Sequence, residues 1–405
     1  MTERLPRTEP NNSTEPNDST EPNDFTEPNH FTEGIRQAAA EWDTAGGPPR
    51  DMAERMAKAG LLGADLPAGY GGSARSALQL GELTAALGAV CTSLRSLLTV
   101  QAMVAAAVLR WGTEEQRHTW LPALASGERI AGLAVTEADA GSDLNAVRTT
   151  IERDGGRLRI SGHKLWVTYG EWADVLLVLG REGDRPTAVL VETDRPGVER
   201  EPVSGQLGLR GARIAHIRFR DVEVPAGNRV APPGFGLSHV IGTALDHGRF
   251  TVAWGCVGMA RACLDEAAGH VLTRRQNGVA LAEHELVRAK IAEMHLAAES
   301  ARALAERAAR LRDDRAPDAA SATFAAKYAA ARAAASVSQD AVQLQGAAGC
   351  APDSLAQRFF RDAKVMQIIE GADEVALLRV AEHVLGGRRA RTAPGRNPAG
   401  SGAAR

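Results

Sequence analysis

Apolar residues recur every three or four positions through residues 34–132, in IRQAAAEW, DMAERMAKAGLLGA, ALQLGELTAALGAV and SLRSLLTVQAMVAAAVLRWG. That spacing predicts helices with one buried stripe. Pro48 and Pro49, the glycines of PAGYGG and Thr113 interrupt the run. From residue 133 to 233 the pattern shortens. RLRISG, LWVTYG, DVLLVLG, TAVLVET and ARIAHIRFRDVEV are β-rich, several alternate polar and apolar, and Asp154-Gly155-Gly156 suits a hairpin turn. A small antiparallel β domain is expected there. Residues 234–387 return to helical spacing. Two long Ala-rich amphipathic stretches, at about 281–313 and 317–346, fit a bundle.

The two ends lack this patterning. Residues 8–33 repeat TEPNNS, TEPNDS, TEPNDF, TEPNHF. Proline every sixth residue among Thr, Asn and Asp supports neither helix nor ladder and leaves little to bury, so residues 1–33 are expected to be a disordered tail. Residues 388–405 are expected to be a second one. The organisation expected is therefore a tail (1–33), a helical domain (34–132), a β domain (133–233), a helical bundle (234–387) and a tail (388–405).

Composition narrows the possibilities. Aromatic residues make up only 4% of the chain, and the formal charge is -3, which gives nucleic acid no electrostatic attraction. The four cysteines, Cys91, Cys256, Cys263 and Cys350, show no CxxC pairing and are expected as free buried thiols. No apolar h-region opens the chain, and no uninterrupted apolar stretch reaches the roughly 18–20 residues of a membrane helix. A cytoplasmic protein with no membrane partner is expected. No GxGxxG follows a strand, and there is no GxxxxGK[ST], GxSxG or HExxH, so nicotinamide, P-loop, hydrolase and metal chemistry find no support.

One segment carries a chemical signal of its own. In RDAKVMQIIEGADE, residues 361–374, Glu370 stands between an apolar run (Val365, Met366, Ile368, Ile369) and Gly371. A carboxylate among apolar neighbours loses hydration, and its pKa rises towards the range of a base that works at neutral pH. A helix-terminal Glu facing water fits the segment equally.

Three further segments settle the emphasis: WGTEEQRHTWLPALASGE (111–128), LAVTEADAGSDLNAVRTT (133–150) and ISGHKLWVTYGEWAD (160–174). With RDAKVMQIIEG they resemble, in order and spacing from about residue 34 to 387, the acyl-CoA dehydrogenase superfamily of flavoenzymes. The resemblance implies a mainly α fold with a central β domain: an N-terminal helical domain, an antiparallel β domain and a C-terminal four-helix bundle. It implies FAD between the β domain and the bundle. It assigns Glu370 as the base, with Arg249 orienting it or the substrate. Thr136 and Ser142 would hold the flavin and its pyrophosphate, Trp166 would wall the ring, and Thr168 would offer a hydroxyl near N5. Arg274 would reach the FAD of a neighbouring subunit, and Gln343 and Gly346 would meet its adenosine half, which implies a homodimer or homotetramer. Gly371, which follows the base in the same motif, is expected among the cofactor-binding residues. Gly248 occupies the position where some relatives carry the base instead. Asn277 stands where Phe is usual and Ala372 where Thr is usual, so an adenine contact and a flavin-contacting hydroxyl are altered.

VCTSLRSLLTVQAM (90–103) and DHGRFTVAWGCVGMARAC (246–263) resemble a narrower branch, the dehydrogenases acting on acyl groups tethered to an acyl carrier protein for hydroxymalonyl- or methoxymalonyl-type polyketide extender units. Arg95 lies where the family lines its acyl pocket, and a buried Arg needs an anionic partner. A substrate carboxylate would serve. A solvent-facing Arg95, or one paired with a protein carboxylate, are the alternatives. For function, α,β-dehydrogenation of a short or branched acyl-CoA and a non-catalytic scaffold also stay open. An electron-transfer flavoprotein is the acceptor the resemblance implies.

Overall fold

The structure is a computed structural model, and it describes residues 26–392. Six helices come first: α1 (Thr26–Gly34), α2 (Arg36–Ala45), α3 (Met52–Lys58), α4 (Ala77–Gly88), α5 (Thr92–Trp111) and α6 (Glu114–Ala125). Their starts are written in the sequence. Ser76 accepts the Gln79 N–H while Gln79 Oε1 accepts the Ser76 N–H, and Thr113 and Gln116 repeat the arrangement at α6. Each capping box satisfies two amide donors that a helix leaves unpaired at its start. Helix α5 is long and apolar enough to cross a membrane by length and composition, but 78% of its apolar window is buried inside the fold. It is a core helix.

The β strands follow: β1 (Ala131–Ala134), β2 (Thr150–Asp154), β3 (Arg157–Val167), β4 (Val175–Glu182), β5 (Arg185–Glu192), β6 (Val198–Pro202), β7 (Ala215–Pro225) and β8 (Arg229–Val230). They pair in the order β6-β7-β3-β2-β4-β5-β8, with β1 alongside β4. The expected hairpin is present: Asp154 pairs with Arg157 around Gly155-Gly156. The sheet is not wholly antiparallel, because β1 and β2 both run parallel to β4. Covered on both faces, β4 reads as a continuous apolar run, Val175–Leu179, with every residue buried.

The bundle comprises α7 (Gly242–Thr273), α8 (Glu285–Asp313), α9 (Ala319–Gln345), α10 (Leu355–Met366) and α11 (Asp373–Thr392). Two short strands, β9 (Arg275–Gln276) and β10 (Val279–Ala280), form a hairpin between α7 and α8. Helix α7 packs on α4, α5, α8, α9 and α10, so one core joins the N-terminal helices to the bundle. Backbones approach closely here: a Cβ on Gly258 would lie 2.0 Å from the Ala85 carbonyl oxygen of α4.

Some residues expected in the tails are helical. Residues 26–33 are helical, because Pro28 falls in the first turn of α1, where its missing N–H costs nothing. Helix α11 runs on to Thr392. Residues 1–25 and 393–405 lie outside the described residues. Of the cysteines, Cys91, Cys256 and Cys263 are free and buried, whereas Cys350 is exposed.

Candidate active site

Glu370 sits in the turn between α10 and α11 with φ 55°, followed by Gly371 at φ 98°. Two consecutive left-handed residues turn the chain sharply, and for a glutamate this conformation costs on the order of 1 kcal/mol. Two cations hold the turn. Arg249 on α7 donates from Nε to the Glu370 carbonyl at 2.8 Å. Lys327 on α9 donates from Nζ to the Gly371 carbonyl at 2.6 Å. The Arg249 guanidinium also lies 4.2 Å from the centre of the Phe324 ring. Lys327 was not singled out in the sequence; its signal is one lysine inside the small-residue run TFAAKYAAARAAAS.

Although Glu370 as a residue is only half-buried, its Oε2 is shielded from solvent and has no hydrogen-bond partner. Burial pushes the carboxyl up to about 7, against the opposing pull of Arg249, Lys327 and Arg95. The expectation from the sequence thus has a physical basis in the fold, and the solvated, helix-terminal alternative does not describe this residue. A Cβ on Gly248 would fall 2.8 Å from Glu370 Oε2 and 2.7 Å from Met103 Sδ. The absent side chain at 248 is therefore what gives this carboxylate its room.

Arg95 on α5 is 1% exposed. Nη1 donates to Thr99 Oγ1 at 3.0 Å, Nη2 meets Met366 Sδ at 3.1 Å, and Nε has no partner. Thr99 Oγ1 donates to Thr251 Oγ1 at 3.0 Å, and Thr251 Oγ1 donates to the Gly248 carbonyl at 3.1 Å. That chain of contacts links Arg95 to the residue beside the Glu370 carboxylate. The side chain fits because position 255 is glycine: a Cβ there would lie 2.8 Å from Arg95 Cδ. Among the described residues no ion pair includes Arg95. Neither the solvent-facing nor the carboxylate-paired arrangement is seen. Thioether and hydroxyl groups are weak partners for a buried guanidinium.

The β domain presents a second group. Thr136 follows β1, and its carbonyl accepts the Leu165 N–H at 2.9 Å. Trp166 is 54% exposed with φ 59°, standing out from the end of β3, and Thr168 is half-buried in the next turn. Ser142 is exposed in the TEADAGSD loop. That loop is pinned by Glu137, which receives the backbone N–H groups of Arg148 and Thr149, the Thr149 hydroxyl and, at 2.7 Å, Lys164 Nζ. Burial would raise Glu137, but its bonds from Lys164 and Thr149 outweigh this and hold it below the usual range. Burial brings Lys164 down to about 8 against the pull of Glu137.

The remaining expected residues lie apart from the Glu370 cluster. Arg274 is exposed just past α7, Gln343 is exposed on the last turn of α9, and Gly346 ends that helix at φ 60°. Asn277 has a structural reason to replace the usual Phe. It and Gly278 form a two-residue hairpin turn at φ 52° and 85°, a conformation that Asn adopts far more readily than an aromatic residue. A groove of about 620 Å³ between α4, α7 and α8 contains none of these residues.

Three domain profiles of acyl-CoA dehydrogenases match consecutive parts of the chain: the N-terminal domain over residues 29–128, the middle domain over 132–222 and the C-terminal domain over 235–385. The chain belongs to the acyl-CoA dehydrogenase family, FAD-dependent oxidoreductases of acyl thioesters. It is 32% identical to the human mitochondrial short-chain specific acyl-CoA dehydrogenase, over 83% of each chain. Among solved structures it resembles FkbI, described as acting in biosynthesis of the methoxymalonyl extender unit of the Fk520 polyketide, with TM-score 0.83 and 39% identity over 89% of this chain and 99% of that one. It also resembles the prolyl acyl carrier protein oxidase AnaB, with TM-score 0.82 and 26% identity over 89% and 98%.

Proposed function

We propose that this enzyme oxidises a small acyl group tethered to an acyl carrier protein, one that carries a carboxylate or gains it in the reaction. The observation that carries the reading is Arg95: a buried cation, unpaired by any protein carboxylate, linked through Thr99 and Thr251 to the residue against Glu370. A substrate anion at that point would supply the missing partner. The resemblance to FkbI and AnaB supports an extender-unit precursor carried on a protein.

The residues present fit FAD. Trp166 stands exposed beside Thr136 and Thr168 at one end of the sheet, available as a wall and as hydroxyl donors, with Ser142 in the neighbouring loop. Bound FAD supplies the two-electron acceptor. Glu370, with a pKa of about 7, takes the substrate proton, and its buried Oε2 has no competing donor. Arg249 and Lys327 fix the backbone that aims the carboxylate. Arg95 binds the acyl end, whether the reaction is oxidation of an aldehyde hydrate to an acid or removal of two hydrogens from carbon. In the first case the thioester's aldehyde hydrate loses two protons and two electrons and becomes the carboxylic acid. Arg274, Gln343 and Gly346, exposed on one protomer, would meet FAD across a homodimer or homotetramer interface. An electron-transfer flavoprotein would reoxidise the enzyme.

A second reading, α,β-dehydrogenation of a short or branched acyl-CoA, has support in the resemblance to the short-chain dehydrogenase. The two separate in an anaerobic titration of the purified flavoprotein with one short acyl group presented on carrier protein or on CoA. Bleaching of the flavin band with the carrier-bound form alone supports the proposal. Bleaching with the CoA form alone overturns it in favour of the second reading. A protein that binds no FAD leaves only a scaffold.

A further inference from the structure

Between β3 and β7 the ladder slips. Lys164 pairs with Ile217 and Val167 with Ala215, so Leu165 and Trp166 together face the single residue His216. A bulge of this kind leaves an amide without a ladder partner and re-aims a side chain. The Leu165 N–H goes to the Thr136 carbonyl. The Trp166 N–H goes to a side chain, donating to His216 Nδ1 at 3.1 Å. The imidazole also meets the indole edge-on, with ring centroids 5.3 Å apart and planes at 87°. Trp166 needs such support: it is a bulky residue in the left-handed region and more than half exposed.

The geometry points to His216 as the positioning residue for Trp166, fixing the flavin-facing indole through the Trp166 amide and the ring edge. This inference rests on the reading of Trp166 as the flavin wall. Because Nδ1 accepts, the ring proton of the neutral imidazole is on Nε2. Three other titratable or charged groups surround it. Glu201 on β6 is its cross-strand partner, His163 on β3 has its ring 6.1 Å away, and Arg218 is two residues along β7.

The test uses purified holoenzyme and apoenzyme prepared from it, with FAD itself as the probe. His216→Phe keeps a ring but removes the acceptor; His216→Asn places an amide oxygen near the Nδ1 position. Losing one neutral hydrogen bond corresponds to an FAD dissociation constant about three to ten times larger. H216F is expected to show that loss and a changed visible circular dichroism of the flavin, and H216N to restore both to within about twofold of the native value. Should H216F fail to fold, His216→Ala makes the same comparison. Trp166→Phe separates the two layers of the argument. If W166F alters the flavin dichroism while the acceptor-less variants do not, the role of His216 is overturned and the flavin-wall reading stands. If W166F leaves the dichroism and the affinity unchanged, the flavin-wall reading falls and this inference with it.

Discussion

Two of the places where the protein buries charge treat it differently. In the β domain Lys164 is fully buried, but it meets Glu137 at 2.7 Å, and Glu137 is saturated by two backbone amides and a hydroxyl. Where the bundle meets α5, Glu370 and Arg95 are left with unpartnered buried atoms, Oε2 and Nε. A satisfied pair fixes a loop; an unsatisfied one holds binding capacity in reserve. At the TEADAGSD loop the pair is complete, whereas around Glu370 two buried atoms stay open, the arrangement that the proposed site would use.

Substitutions sharpen the contrast. Glu370→Gln, which keeps the volume and removes the proposed base, should lower the rate of flavin reduction by about 10²–10⁴-fold without unfolding the protein, read by stopped-flow absorbance. Lys164→Met should do the reverse: it leaves Glu137 without its cation and costs about 3–5 kcal/mol of stability in denaturant unfolding, with chemistry affected only through the loosened TEADAGSD loop. Equal losses of stability in the two variants would break the comparison.

Acid titration gives the next effect. The folded pKa of Glu370 is about 7 and its ordinary value 4.5, so between those limits the folded state holds a proton that the unfolded state has released. Its contribution to stability is fully present below about pH 4.5 and is lost as pH rises towards 7, by about 3 kcal/mol in all. E370Q, unable to ionise, should abolish that slope. Arg95→Met should cost no more than about 1 kcal/mol of stability, or increase it, since it removes an unpaired cation. It should nevertheless raise KM for a carboxylate-bearing substrate. A large destabilisation by R95M would mean that the guanidinium is structural. Lys327→Met gives the smallest change. Losing a cation that lowers Glu370 moves the acid limb of the pH–rate profile upward.

Much of this was legible in the sequence, for identifiable reasons. Periodicity located the helices because their apolar stripes face the interior, and Gly155-Gly156 located a hairpin because turn chemistry is local. Glu370 was legible because its neighbours in sequence are also neighbours in space. The parallel pairing of β1 and β2 with β4 was not, since β4 is covered on both faces and carries no alternation to read. Lys327 and His216 were missed for another reason. Their partners, Gly371 and Trp166, lie 44 and 50 residues away, and a lone Lys or His announces nothing about what it will meet. Pro28 misled because a proline that breaks a helix in its middle is harmless in its first turn.

The core shared by α4, α5 and α7 has a consequence for synthesis. A ribosome delivers residues 77–111 long before residue 242, where the helix they pack against begins. During that interval α5, whose composition would suit a membrane, has α4, α6 and β1 to pack on but not α7, and contacts this far apart along a chain form late. The N-terminal third therefore completes its packing only when α7 arrives. Expressed alone, or stalled in translation, it would present its most apolar helix to chaperones and to other nascent chains, and its yield in a cell would depend on how promptly the rest of the polypeptide arrives.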